Sequence, residues 1–144
     1  MENKRIKLID LLNEAKQVGV LYHFTRTGEL ISILKDNILK ASDTWATTDD
    51  LRPFNAFTRN KNGWDVGGFL TDVRITIDGN KLSNKYKIQP FNMGFGIDEM
   101  EERVYKDIPD IKNYIIDITI NTKKGNYEIH KDIINNLYPN TKII

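Results

Sequence analysis

The run Asp98-Glu99-Met100-Glu101-Glu102-Arg103-Val104-Tyr105 is where residue types and spacing most plainly suit chemistry. Extended, it alternates: Glu99, Glu101 and Arg103 share one face, and Met100, Glu102 and Val104 share the other. Two carboxylates two residues apart on a strand have Cβ atoms roughly 7 Å apart, close enough to serve one small substrate. Like charges brought together raise each other's proton affinity, so folding gains little from such a pair. Solvated edge strands also carry such charges, where they discourage aggregation.

Two further clusters lie upstream. In Leu21-Tyr22-His23-Phe24-Thr25, a strand places His23 and Thr25 on one face and Tyr22 and Phe24 on the other. Thr27 then opens a helix as its N-cap, and the first amides of that helix are donors suited to a phosphate or an amide. Phe57-Thr58-Arg59-Asn60 ends another strand, where Arg59 offers a planar fork of donors to a carboxylate or phosphate. Trp45, Trp64 and Phe91 fall in expected loops, either to stack on a planar ring or to act as lids on the core.

Bulk properties narrow the chemistry. The chain has 144 residues, 40% hydrophobic and 28% charged, which is ordinary for one globular domain spanning 1–144. A net charge of +1 supplies no global basic field for nucleic acid or an acidic membrane. The chain has no cysteine, which excludes disulfides, thiolate metal sites and a thiol nucleophile. His23 and His130 are far apart, no HExxH spacing occurs, and no metal site is expected. No GxGxxG or GxxxxGK[ST] run is present to cradle phosphates. No apolar run approaches bilayer-crossing length, and the amino terminus lacks a signal-peptide core, so a cytoplasmic location is expected, in a bacterium or a host cell.

The elements that must position these clusters follow from periodicity. Residues 6–15 carry a stripe near helical period, and Gly19 stops it. Residues 18–24 form a strand, and a helix from Thr27 buries Leu30, Ile31, Ile33 and Leu34 before closing at Asn37. A short strand over 39–42 and a loop over 43–51 precede a strand over 53–59. Asn60-Lys61-Asn62-Gly63 is a turn, followed by a loop with Trp64, Gly67 and Gly68. Val73, Ile75 and Ile77 alternate with polar residues up to Asp78-Gly79. A short helical turn, an extended 86–90 and a glycine-containing loop lead to the acidic strand. Ile116, Ile118 and Ile120 then alternate cleanly with Asp117, Thr119 and Asn121 and mark another strand, and a helix from 124 or 125 to 137 precedes a last strand over 141–144. The order lacks βαβ alternation, so the fold class is α+β rather than a parallel Rossmann-type sheet.

Taken together, these elements resemble the ADP-ribosyltransferase superfamily. The Tyr-His-Phe-Thr strand with the helix ending Ile33-Leu34-Lys35-Asp36-Asn37 resembles its amino-terminal NAD-binding element. Phe57-Thr58-Arg59 resembles its second element and Glu99-Met100-Glu101 its third, in the family's order, over about residues 20 to 120. The likeness is to small bacterial or phage-encoded members. It implies a split mixed or antiparallel β-sandwich with flanking helices, and NAD as a substrate bound in a cleft. His23 would hold the adenosine-side ribose or the nicotinamide amide, with Thr25 beside it. Thr58 and Arg59 would support the site, Arg59 at the pyrophosphate. Glu101 would accept a hydrogen bond from the ribose 2′-hydroxyl as nicotinamide leaves, and Glu99 would orient the acceptor nucleophile or act as its base. Thr58-Arg59 departs from the usual Ser-x-Ser, and a bulge in the acidic strand would hand the role to Glu102. The implied function is mono-ADP-ribosyl transfer from NAD to a protein or nucleic-acid acceptor. The alternative on the same fold is a non-catalytic nucleotide binder or an inhibitor of a host enzyme. Transfer of an RNA 2′-phosphate to NAD is disfavoured by the near-neutral charge.

Overall fold

The computed structural model describes residues 19–42, 52–64, 71–91 and 101–144. The helix expected over 6–15, the loop over 43–51, Trp45, the Gly67-Gly68 pair and Glu99 lie outside the described residues. Strands are β1 (Val20–Thr25), β2 (Ile38–Leu39), β3 (Asn55–Thr58), β4 (Val73–Asp78), β5 (Gln89–Phe91), β6 (Glu101–Val104), β7 (Ile108–Pro109), β8 (Ile115–Ile120) and β9 (Lys142–Ile143). Helices are α1 (Thr27–Asp36), α2 (Gly79–Ser83) and α3 (Tyr127–Leu137), with a 3₁₀ turn over Ile111–Tyr114. None of the described helices is long and apolar enough to cross a membrane.

The main sheet has seven strands in the order β5-β6-β3-β1-β4-β8-β9, and β2 pairs with β7 as a separate ribbon. Its pairings are antiparallel except β8 with β9, which are parallel and joined through α3. The α+β class therefore holds, with one βαβ crossover at the carboxyl end. Pro90 sits on β5, the terminal strand, where a missing N–H breaks no interior ladder.

Alternation sends Leu21, Phe57, Val73, Ile75, Ile77, Val104, Ile118 and Ile120 to one sheet face, all nearly or fully buried. Leu30, Ile33 and Leu34 of α1, with Leu82, Ile134, Ile108 and Ile111, cover that face. At roughly 25 cal/mol per Å² of apolar area removed from water, this layer is the main source of stability. Asn37 ends α1 in the left-handed conformation (φ 50), and its side-chain oxygen accepts from Lys112 N at 3.0 Å. That bond ties the helix end to the 3₁₀ turn.

Two expectations are corrected. The alternation of Ile116, Ile118 and Ile120 is not clean: Ile118 and Ile120 are buried, whereas Ile116 is 50% exposed. The β4–β8 register shifts between Thr76 and Ile77, so Asp117 faces Thr76 while Ile115 faces Ile77, and Ile116 is the extra residue of a bulge. Thr27 does not cap α1. Arg26 occupies the cap position without a side-chain bond, and Thr27 N donates to Asp72 Oδ1 at 3.0 Å from across the fold.

Asp72 is 2% exposed and binds on three sides. Besides the Thr27 bond, its N–H donates to Thr25 O (3.1 Å) and its carbonyl accepts from Asn121 N (2.8 Å). A Cβ on Gly125 would stand 2.0 Å from Asp72 Oδ2 and 2.5 Å from its Cγ, so only glycine fits there. Gly125→Ala is expected to destabilise the chain by about 1–3 kcal/mol through overpacking. Asp72→Ala is expected to cost about 1–3 kcal/mol by leaving the buried Thr27 N–H unpaired. Urea unfolding midpoints check both, and a Gly125→Ala variant as stable as the parent would refute the close approach.

Candidate functional site

The strands carrying the three clusters are consecutive in the sheet: β6, β3, β1. Tyr22 pairs with Thr58, and Thr58 with Glu101. The next row inward brings Phe57 opposite Glu102 and beside His23, whose ring centroid lies 5.7 Å from that of Phe57. Side chains alternate, so His23, Phe57 and Glu102 face the core side while Tyr22, Thr58 and Glu101 face the other. The register thus divides the expected site residues between two faces.

Glu101 accepts from Arg103 Nε at 2.8 Å. Arg103 is 1% exposed, and its guanidinium carbon lies 3.7 Å from the Phe54 ring centroid. Glu101 balances the charge of that buried guanidinium. The Thr58 hydroxyl accepts from Asn60 N at 3.0 Å, which shapes the turn closed by Gly63 N donating to Asn60 O at 3.2 Å. On the same face Trp64 is buried, edge-on to Phe24 at 5.1 Å and under Arg74 at 5.1 Å. Trp64 is a lid rather than an open stacking surface.

Glu102 is 2% exposed. Arg59 donates to its Oε1 twice, from Nε at 3.2 Å and from a terminal nitrogen at 3.0 Å. Oε2 is buried and has no hydrogen-bond partner among the described residues. Burial raises the Glu102 pKa above its ordinary value, and the Arg59 charge and hydrogen bonds oppose that rise.

His23 lies where the sheet opens. β1 and β3 pair at a single position, Tyr22 with Thr58, and beyond it Nδ1 of His23 lies 2.9 Å from Ala56 O. A carbonyl can only accept, so Nδ1 carries the proton and Nε2 of the neutral ring is an acceptor. Burial lowers the His23 pKa, while the Ala56 carbonyl and the Glu29 charge pull it up.

Beside His23 and Thr25 is a cleft of about 710 Å³, walled by Glu29 and Ile33 of α1, Leu39 of β2 and Asn55 of β3. That volume is in the range of small-molecule sites. The Thr25 hydroxyl donates to Glu29 Oε2. Asn55, 3% exposed, donates from Nδ2 to Leu39 O (3.0 Å) and Lys106 O (2.9 Å), tying the β2–β7 side of the cleft to the sheet. Neither Arg59 nor Glu102 lines this cleft. The amino end of α1 is not the anion site its position suggested. Thr27 N is bonded to Asp72, and the carboxylates of Asp72 and Glu29 already sit at the positive end of the helix.

Sequence reading left out Glu29, Asn55 and Asp72. Glu29 carried a local signal, being four residues after Thr25 in the first turn of a helix. Asn55 and Asp72 carried none, because their partners are 16, 51 and 45 residues away. Among the described residues no group of His, Cys, Asp and Glu is arranged to hold a metal ion. No model of a known protein family matches the chain, and no curated protein matches it in sequence.

The native His23 prefers the neutral form more than the unfolded chain does. Acidification through the ordinary histidine range therefore protonates the unfolded state first, and stability falls as pH falls. His23→Gln removes this component, so the wild type is expected to lose more stability than the variant between pH 7.5 and 5.5, as read by denaturant midpoints. Equal slopes would refute a His23 held neutral in the native state.

Proposed function

We propose that the chain cleaves NAD and transfers ADP-ribose to a macromolecular acceptor, with Glu102 as the carboxylate at the reacting centre. The observation carrying this reading is that the strands bearing the His23, Arg59 and Glu102 motifs lie side by side, with His23 and Glu102 on one face. The single-position pairing of β1 with β3 supports a split-sandwich arrangement in which β5, β6 and β3 part from β1, β4, β8 and β9.

In this reading NAD is a substrate, and the glycosidic C–N bond breaks with its electron pair leaving on nicotinamide. Positive charge builds on the ribose carbon, where a carboxylate is most effective if it interacts more strongly then than in the ground state. In this reading Oε2 of Glu102, buried and without a hydrogen-bond partner among the described residues, is the acceptor for the ribose 2′-hydroxyl. His23, through Nε2, and Thr25 hold a ribose hydroxyl or the nicotinamide amide. The acceptor nucleophile then attacks the same carbon and loses its proton to a base, the role the resemblance assigns to Glu99. Glu101 and Thr58, engaged with Arg103 and Asn60, support the sheet and the turn rather than the substrate.

Nicotinamide release from NAD tests the assignment. Glu102→Gln is expected to lower turnover on the order of 10²- to 10³-fold with the fold retained, while Glu101→Gln stays within a few-fold of wild type. The reverse pattern would return the role to Glu101. A second reading is favoured by the near-complete burial of Glu102: a nucleotide binder on the same fold without turnover. It predicts that NAD at about 100 times its dissociation constant adds about 2.7 kcal/mol of stability while no nicotinamide appears. Labelled NAD mixed with a cell lysate identifies the acceptor class by the macromolecule that becomes labelled.

A further inference from the structure

We propose that Arg59 is a positioning residue for Glu102, holding one of its oxygens so that the other is presented to substrate, and is not a ligand of the NAD pyrophosphate. The inference rests on the reading of Glu102 given above. Nε and a terminal nitrogen of Arg59 both donate to Oε1 rather than one to each oxygen, while Oε2 stays buried and without a hydrogen-bond partner among the described residues. A fork matched to both carboxylate oxygens is the common arrangement for arginine. Here both donors meet one oxygen, which fixes the carboxylate plane and leaves the second oxygen for a hydroxyl.

Burial explains why Arg59 stays where it is. Its side chain is 22% exposed, whereas that of Glu102 is 3% exposed, so the guanidinium reaches inward from the strand end. Turning outward to a pyrophosphate would abandon a buried carboxylate, which is costlier than leaving an exposed ion pair. Gly19 lies near the guanidinium. It adopts φ +133, and a Cβ there would lie 3.7 Å from an Arg59 terminal nitrogen. The charged groups around Glu102 assign the effect to Arg59. On β6, Glu101 and Arg103 point to the opposite face; on β5 its partner is Pro90; on β1, His23 lies one strand beyond Phe57. Among the described residues Arg59, just past the end of β3, is the cation in contact with Glu102.

The test compares Arg59→Gln and Arg59→Lys in the full chain, reading nicotinamide release against NAD concentration and pH. Arg59→Gln is expected to lower kcat on the order of 10²-fold with KM for NAD nearly unchanged, and to move the acid limb of the pH profile to higher pH. Arg59→Lys is expected to restore part of kcat and most of the acid limb, since the charge returns without the fork. A raised KM with kcat preserved would overturn the proposal in favour of pyrophosphate binding. Titration of the isotope-labelled Glu102 carboxyl by NMR separates this inference from the function it rests on. If the wild type does not cleave NAD, the functional reading falls. The pairing then stands if the Glu102 titration moves to higher pH in Arg59→Gln and is overturned if it does not.

Discussion

The pairing of Phe57 with Glu102 across β3 and β6 decides which carboxylate of the acidic strand meets the interior. A strand offers its side chains to two faces in strict alternation, and a slip of one residue exchanges them. Phe57 and Val104 are too apolar to face outward at the centre of a sheet, and both are buried. Glu102, two residues from Val104 and opposite Phe57, must enter with them. Arg59 then becomes necessary, because an ionised carboxylate is stable at that depth only with a charged, hydrogen-bonded partner. The same alternation turns Glu101 to the other face, where it answers the buried Arg103. Two ion pairs of opposite polarity, one on each face of β6, follow from one register.

A comparable logic holds the cleft open beside His23. Where β1 and β3 cease to pair, backbone groups lose their ladder partners, and the His23 ring supplies a donor for Ala56 O. Asn55 does the same for the Leu39 and Lys106 carbonyls, and Asp72 supplies an acceptor for Thr27 N. Each of these side chains satisfies a backbone group at a point where regular structure stops. The cleft sits in a framework whose buried polar groups are largely engaged; among the described residues Oε2 of Glu102 and Nε of Arg74 are buried atoms without a hydrogen-bond partner.

Local periodicity determined a good deal by itself. The alternations of β1, β4 and β8, the helical stripe of α1 with its stop at Asn37, and the Asn60–Gly63 turn depend on interactions within a few residues of each other, and they are legible without a fold. So was the division of Glu101 and Glu102 between two faces of one strand. Which face would be the interior, which carboxylate would be buried, and that Arg59 would pair with Glu102 were decided only by tertiary structure. Those outcomes rest on register between strands 43 or more residues apart and on a bulge that exposes Ile116. The physical reason is that the strand period specifies two faces and leaves their environments open, and only pairing with distant strands assigns one to the core and the other outward.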